Sequence, residues 1–460
     1  MSDEFSSTVR SLLLNDAPPR SGGQYVLYWA QANRRVDSNH ALSFAVRLAN
    51  DLRLPVLFYE GLTCSHPHAN DRLHAFILEG IPDNAKRAAA LGIGYVFYYR
   101  RRRCDPNDIL YRLATGAAAL VTDDYPGYLV RDHNRSIPAK IGIPYYAVDA
   151  SCIVPMAHFG EQEYAAYTIR PKIHRLLPEH LKPVPPIRVK KLWTGAPPLF
   201  HTAVDIDAIP ALLAASEIDH SVAPSVEFRV GSREAHRRLR YFLKHNLKRY
   251  ARLSREPSAR ATSQLSPYLH FGYISSLEIA LAVQDYAAEH KLIAAEFLEE
   301  LIVRRELAFN FARYGPQPDS LAALPQWAQT TLRKHARDRR KPVYTGRQFE
   351  QADTHDPLWN ATQRELLRDG VIQGYYRMYW GKKIIEWCAS HQEALEIMIY
   401  LHDRYALDGR DPNTYANILW CFGLHDRPWA ERPVFGMVRY MSLEGMKRKT
   451  DIDSYERQMK

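Results

Sequence analysis

The stretch YYRMYWGKKIIEWC, residues 375–388, places chemically active side chains on one face of a predicted α-helix. Arg377, Trp380, Ile384 and Trp387 follow one another at the spacing i, i+3, i+7 and i+10. Such an aromatic row is most often part of a hydrophobic core. That interpretation leaves unexplained why a fixed positive charge shares the apolar face.

Hydroxyl groups precede a second predicted helix in the segment ATSQLSPYLHFGYISSLE, residues 261–278. Thr262, Ser263 and Ser266 lie where a helix begins, and the free N–H groups of a helix N-terminus favour phosphate. Hydroxyl-rich loops are more often helix caps than phosphate sites. Both interpretations stay open from this segment alone.

Two further segments mix charged and aromatic residues. In LEELIVRRELAFNFARY, residues 298–314, Glu300 and Arg304 are four positions apart and are predicted to face each other on a helix. An ordinary exposed ion pair is the alternative. Residues 407–441 combine acidic, basic and aromatic side chains too densely for plain core, which favours a pocket.

Composition limits the class of protein. The chain has 460 residues, 46% hydrophobic and 24% charged, which is typical of a globular protein of two or three domains. No apolar run approaches the roughly 20 residues of a membrane span. The start MSDEFSSTVRSLLLNDAPPR lacks the features of a signal peptide, so we expect a cytoplasmic location.

Cysteine spacing and net charge indicate which metal ions and which macromolecular partners to expect. The five cysteines form no CxxC pair and no metal-binding spacing, so we expect reduced thiols and no metal. The net charge of +10 indicates an anionic partner, with nucleic acid first and a membrane surface second.

The order of predicted elements divides the chain into three parts. From residue 24 to about 155, short β-prone runs alternate with helical patterns, which predicts an α/β domain with a doubly wound parallel sheet. No GxGxxG or GxxxxGK[ST] motif is present, which argues against a dinucleotide or P-loop site there. Residues 156–225 are rich in proline and predict a linker. From residue 226 onward helical periodicity dominates.

Several motifs resemble those of one family. TSQLSPYLHFG, EELIVRRELAFNF, LDGRDPNTY and HDRPWAERPVFGMVRYMS are together similar to class II cyclobutane pyrimidine dimer DNA photolyases of the photolyase/cryptochrome family. YVLYWAQANRRVDSNHAL resembles the start of that class's N-terminal domain. The resemblance implies an α/β domain over residues 1–155, a linker over 156–225, and an all-helical FAD- and lesion-binding domain over 226–460.

The resemblance also implies an activity: repair of pyrimidine dimers in UV-damaged DNA by an electron from excited FADH⁻. The residues that it assigns to FAD are Tyr250, Thr262, Ser263, Leu265, Ser266, Arg305, Arg377, His402 and Asp408. Those that it assigns to the flipped-out dimer are Gln264, Glu300, Arg304, Met378 and Trp420.

Each residue type suits its implied role. The Glu300 carboxyl group can share a proton with a thymine carbonyl, which stabilises the radical anion, and the Trp420 ring suits stacking on a splayed base. Arg377 would be costly to bury alone, and Asp408 is its implied partner.

The resemblance further implies an electron route and gives Trp380, Trp359, Trp387 and Glu300 as the catalytic set. Trp380 is nearest the flavin, Trp359 is next, and Trp387 is a nearby or branching member. Seven residues of helix rise about 10.5 Å, so a ring from another helix must lie between or beside Trp380 and Trp387.

The sequence departs from the class pattern at His402, where class II photolyases have an asparagine near flavin N5. A histidine can be neutral or charged near pH 6.5, so we expect an altered flavin redox balance. ANRRVDSNHAL also departs from the usual N-terminal motif, which weakens any inference of a second, deazaflavin-type antenna chromophore.

Two other functions remain as alternatives. A cryptochrome-like blue-light photoreceptor would use the same flavin and tryptophans. No long extension follows RKTDIDSYERQMK, which weighs against many signalling forms. A flavoprotein that only binds nucleic acid or passes electrons would leave the dimer pocket with Glu300, Met378 and Trp420 unexplained. We therefore expect a monomeric DNA repair lyase that has no membrane partner.

Overall fold

The computed structural model describes residues 8–459. Residues 1–7 and Lys460 lie outside this range. Part of the signal-peptide argument and the start of the expected first domain fall on those first seven residues. Among the described residues, no helix combines the length and the apolar character needed to cross a bilayer. All five cysteines are free, and four of them are buried.

A six-stranded sheet forms the core of the N-terminal domain. Its strands are β1 (Ser11–Leu13), β2 (Tyr25–Ala30), β3 (Val56–Thr63), β4 (Gly94–Arg100), β5 (Ala117–Asp123) and β6 (Tyr145–Val148). They lie across the sheet in the order β1-β6-β5-β2-β3-β4. Five of these strands, β2 to β6, lie between residues 24 and 155, where the sequence predicts short β-prone runs, and they pair in parallel. The sixth, β1, is a three-residue edge strand antiparallel to β6, too short for its pattern to be recognised.

Helices pack on both faces of this sheet, as the buried strands of a doubly wound domain require. The segment 70–91 forms two helices rather than one, because Pro82 lacks the N–H that a continuous helix would need. The helices are α1 (His40–Leu52), α2 (Asp71–Leu78), α3 (Ile81–Ala90), α4 (Ile109–Gly116) and α5 (Tyr128–Ser136).

The proline-rich segment 156–225 contains two helices, α6 (Ala166–His180) and α7 (Ile209–Ala214). The sequence did not predict α6, because Pro171 and Pro178 lie inside it. Its apolar face is buried, and the Arg170 guanidinium donates two hydrogen bonds, of 3.0 and 2.6 Å, to the Glu299 carboxylate. The segment is therefore fixed to the helical domain.

The C-terminal domain is helical, as expected, so the predicted fold class is confirmed. Two short π-helical segments, Phe242–Asn246 and Glu299–Arg304, interrupt it. The α-helices are α8 (Ser232–Tyr241), α9 (Leu247–Leu253), α10 (Ser266–His270), α11 (Ser276–His290), α12 (Ala295–Leu298), α13 (Arg305–Tyr314), α14 (Gln326–Lys334), α15 (Gly346–Glu350), α16 (Pro357–Asp369), α17 (Gly374–Trp387), α18 (His391–Tyr405), α19 (Pro412–Trp420), α20 (Leu443–Lys447) and α21 (Ile452–Gln458).

Arg72 of α2 joins the two domains. Its guanidinium donates to the carbonyl oxygens of Leu366 at 3.0 Å and Tyr405 at 2.8 Å, which lie at or near the C-terminal ends of α16 and α18. A cation at a helix C-terminus satisfies carbonyl groups that have no partner within the helix. The loop after α18, which carries Asp408, is thereby held against the N-terminal domain.

Candidate functional site

A cavity of about 1450 Å³ opens into the helical domain. This exceeds the 300–1,000 Å³ typical of small-ligand sites, so the cavity has room for more than one ligand group. Trp359 and Trp387 do not line it. The other residues with an expected role do, and these are Tyr250, Thr262, Ser263, Gln264, Leu265, Ser266, Glu300, Arg304, Arg305, Arg377, Met378, Trp380, His402, Asp408 and Trp420.

The hydroxyl-bearing loop before α10 forms one end of the cavity. The helix does begin at Ser266, but it is only five residues long. Gln264 has a left-handed backbone with φ of 54°, and its side-chain oxygen accepts a 2.6 Å hydrogen bond from Arg238. Arg238, which the sequence did not single out, is itself held by Glu234 at 3.0 Å and lies 4.5 Å from the Phe228 ring centre.

The predicted pairing of Glu300 with Arg304 is wrong. Residues 299–304 are π-helical, which brings positions five apart together, and Arg304 lies 3.5 Å from Glu299 instead. The Glu300 side chain is exposed to the cavity and makes no hydrogen bond within the described chain. The surrounding protein partly desolvates it and raises its pKa, against the opposing charge of Arg304.

Arg377 and Asp408 form an ion pair in the cavity wall. The Arg377 Nη2 atom lies 2.8 and 3.0 Å from the two carboxylate oxygens of Asp408 and donates to the Ile372 carbonyl at 3.1 Å. The two side chains are 14% and 9% exposed. The Nε atom of Arg377 is buried without a hydrogen-bond partner in the described residues, so it can serve a ligand.

The three tryptophans form one row of rings. Trp359 of α16 stacks on Trp380 with a centroid distance of 6.1 Å and an interplanar angle of 5°. It also meets Trp387 at 6.3 Å and 64°. Trp359 is therefore the ring from another helix that the spacing of Trp380 and Trp387 required.

His402 lies near the ion pair and next to this row. Its ring meets Trp380 edge-on at 5.1 Å, and Nδ1 donates to the Met398 carbonyl at 2.8 Å. Burial, assisted by the charge of Arg377, lowers its pKa to about 4, so the ring is neutral at pH 7. Its Nε2 is buried and has no hydrogen-bond partner among the described residues.

Three other residues with an expected role contact the protein that surrounds the cavity. The Arg305 guanidinium donates to the Ser151 carbonyl of the N-terminal half at 2.7 Å and lies 4.3 Å from the Phe309 ring centre. Tyr250 packs edge-on against Phe297 at 5.3 Å. Trp420 ends α19 and is half-buried at the cavity wall.

The donor set suits a flavin dinucleotide. Hydroxyl groups lie at one end of the cavity, and the unpartnered Arg377 Nε and His402 Nε2 lie on residues beside Trp380. Buried polar atoms without partners are costly, so a polar ligand at this position would satisfy them. In the described chain, no group of three or more His, Cys, Asp or Glu side chains could hold a metal ion.

The chain is similar to known DNA photolyases. A family model for DNA photolyase matches residues 26–189. The deoxyribodipyrimidine photo-lyase of Methanothermobacter thermautotrophicus is 42% identical over 446 residues, which cover 96% of each chain.

Two solved structures share the fold. A bacterial class III photolyase from Agrobacterium tumefaciens gives a TM-score of 0.70 at 18% identity, over 100% of this chain and 88% of its own. An archaeal photolyase from Sulfolobus tokodaii with two FAD molecules gives 0.67 at 17% identity, over 94% and 89%.

The fold and site define a two-domain protein in which a deep cavity of the helical half meets a row of stacked tryptophans. With the sequence relatives, they identify the chain as a member of the photolyase/cryptochrome family.

The ion pair in the cavity wall can be tested through stability. We expect Arg377→Met to lower the free energy of unfolding by about 3 kcal/mol, because Asp408 is left buried and unpaired. The double variant Arg377→Met/Asp408→Asn should recover part of this loss. Denaturant unfolding of both single variants and the double variant gives the coupling energy, and strictly additive losses would contradict a direct pair.

Proposed function

We propose that this protein is a class II cyclobutane pyrimidine dimer photolyase that binds FAD and repairs dimers in UV-damaged DNA with light. The observation that carries the proposal is the arrangement of one cavity. Glu300, Met378 and Trp420 line it together with the Arg377–Asp408 pair, and the stacked tryptophan row begins at its wall.

FAD, when bound in its reduced form, would supply the light-absorbing electron donor. The loop residues Thr262, Ser263 and Ser266 would hold its phosphates through hydroxyl and N–H groups. The Arg377–Asp408 pair and His402 would bind the isoalloxazine edge, because Arg377 Nε and His402 Nε2 lack partners among residues 8–459. Tyr250, Leu265 and Arg305 complete the proposed cofactor contacts.

The dimer would enter the same cavity by leaving the DNA stack, since a lesion within the duplex is out of reach. Trp420 offers an aromatic face and Met378 a soft apolar contact. The raised pKa of Glu300 favours a carboxyl group that keeps or shares its proton with a pyrimidine carbonyl. Gln264, held by Arg238, and Arg304 would flank the lesion.

The tryptophan row would carry electrons to the cofactor from Trp387, a buried ring whose centre lies 4.8 Å from that of the exposed His355. The indole N–H of Trp359 donates to the Trp380 carbonyl at 3.0 Å, and that of Trp380 donates to the Gln363 side-chain oxygen at 2.9 Å. Neutral carbonyl groups of this kind do not readily take a proton. An oxidised Trp359 or Trp380 would therefore keep its proton and pass the electron vacancy on to Trp387.

DNA binding is supported by charge. The net charge is +10, and Arg255, Arg260, Arg304, Arg439 and Lys449 line the cavity. Such residues neutralise phosphates and release counterions, so affinity should fall as salt concentration rises. A monomer would suffice for this site. A second, light-harvesting chromophore of the deazaflavin type is proposed from the class assignment alone.

Repair itself is the first test. The reduced protein, mixed with DNA that contains thymine dimers and illuminated with blue light, should restore thymine absorbance. We expect Glu300→Gln to slow repair about tenfold, which corresponds to ~1.4 kcal/mol of lost stabilisation. Glu289→Gln, on an exposed helix end, is the matched charge control. No recovery with fully reduced flavin would favour the photoreceptor alternative.

The electron route can be tested separately from repair. Trp359→Phe should slow light-driven reduction of the flavin by more than tenfold, because it removes the ring that contacts both Trp380 and Trp387. Chemically reduced Trp359→Phe should still repair dimers. Trp193→Phe, in the linker against the α/β domain, is the control, and equal photoreduction of both variants would exclude this route.

The role of His402 can be tested through pH. Its lowered pKa of about 4 should rise when the neighbouring flavin gains negative charge. At a pH between the pKa values of His402 before and after reduction, the ring should therefore take up a proton as the flavin is reduced. The midpoint potential should then fall more steeply with rising pH above 4 than in His402→Asn. Potentiometric titrations of both proteins from pH 4.5 to 8 measure this, and identical slopes would refute it.

A further inference from the structure

His425 lies where the cavity meets the protein surface. It is half-buried and lines the cavity, whereas residues 427–433 that follow it are exposed. The neighbouring Tyr164 side chain is 47% exposed. His402, in contrast, is 2% exposed and lies beside the Arg377–Asp408 pair. His425 therefore belongs to the outer part of the cavity, where a base from DNA would enter.

The hydrogen bonding of His425 fixes which ring nitrogen carries the proton. Nδ1 lies 2.7 Å from the Tyr164 carbonyl oxygen, and a carbonyl only accepts, so Nδ1 bears the hydrogen. Burial lowers the pKa of His425 to about 4, which keeps the ring neutral at pH 7. Nε2 consequently carries a free lone pair and is an acceptor.

This acceptor has no partner in the described part of the chain, although Nε2 is buried. Buried acceptors without hydrogen bonds are uncommon, and each costs free energy until a donor arrives. Charge from the nearby Arg304, which also lines the cavity, opposes protonation of the ring. A ligand that enters beside Arg304 and Trp420 should thus offer a neutral N–H donor.

We propose that Nε2 of His425 accepts a hydrogen bond from the N3–H group of one pyrimidine of the flipped-out dimer. This inference rests on the proposed function and adds the base identity that the site recognises. Thymine and uracil carry a hydrogen on N3, whereas cytosine has an unprotonated acceptor there. The site therefore prefers thymine at the position next to His425, because two facing acceptors would repel.

His425→Asn tests the acceptor without removing the structural bond. His425 has a left-handed backbone with φ of 57°, a conformation that asparagine tolerates well. The asparagine amide can donate to the Tyr164 carbonyl in place of Nδ1, but it has no group at the position of Nε2. Circular dichroism and flavin content should match those of the wild-type protein.

The readout is DNA binding in the dark, with duplexes that contain a thymine dimer or the same dimer methylated on N3 of its 5′ or its 3′ base. Methylation removes the donor at one position. We expect His425→Asn to weaken binding of the unmodified dimer about threefold to tenfold. At one of the two positions, methylation should lower the affinity of the variant for DNA by a several-fold smaller factor than it lowers the affinity of the wild-type protein.

The inference is overturned if methylation weakens binding by the same factor in the wild-type protein and in His425→Asn at both positions. This holds even where dimer binding and light-driven repair persist. If the wild-type protein does not prefer dimer-containing over undamaged DNA, the proposed function fails first and the inference fails with it.

Discussion

The buried ion pair between Arg377 and Asp408 is the constraint on which the site depends. Two opposite charges can remain in a cavity wall only if their positions are fixed, because separating them leaves each one desolvated and unpaired. Helix α17 and the loop after α18 must therefore converge at one point. The backbone around Asp408 is built for this: Thr414 donates to the Asp408 carbonyl at 2.6 Å, and Asp403 accepts from the Arg410 N–H at 3.1 Å.

Close backbone contacts complete this loop. A Cβ atom at Gly409 would meet the His402 carbonyl oxygen at 2.3 Å, so only glycine permits the loop to fold back on α18. Asp411 receives a hydrogen bond of 2.9 Å from Tyr125 of the N-terminal domain, while Arg72 of the same domain binds the Tyr405 carbonyl. The α/β domain thus contributes to the site by holding the loop that carries Asp408 in place.

Local patterns allowed much of this to be predicted from the sequence. Alternating strands and helices gave the parallel sheet, and the spacing of Trp380 and Trp387 required a third ring, which Trp359 supplies. The pairing of Glu300 was wrong because periodicity assumes an α-helix, and only packing decides where a π-turn replaces it. Helix α6 was missed because its two prolines argue against a helix, yet its buried face and the Arg170–Glu299 bond outweigh them. Arg238 and His425 could not be found, since their partners Gln264 and Tyr164 are distant in sequence.

The π-helical turn at Glu299–Arg304 explains how one short segment places two neighbouring carboxylates in different surroundings. In a regular α-helix Arg304 would face Glu300 and neutralise it. The extra residue in the turn moves Arg304 to Glu299, which Arg170 of the linker also binds. Glu300 is then left facing the cavity, with a raised pKa and no hydrogen bond to any of the residues that the structure describes. A π-turn costs backbone stability and is found mostly where function requires it. Helix α6 of the linker helps to compensate for that cost, because Arg170 binds Glu299 from outside the turn. The linker thereby keeps Glu300, the proposed lesion-binding carboxyl group, free for its substrate.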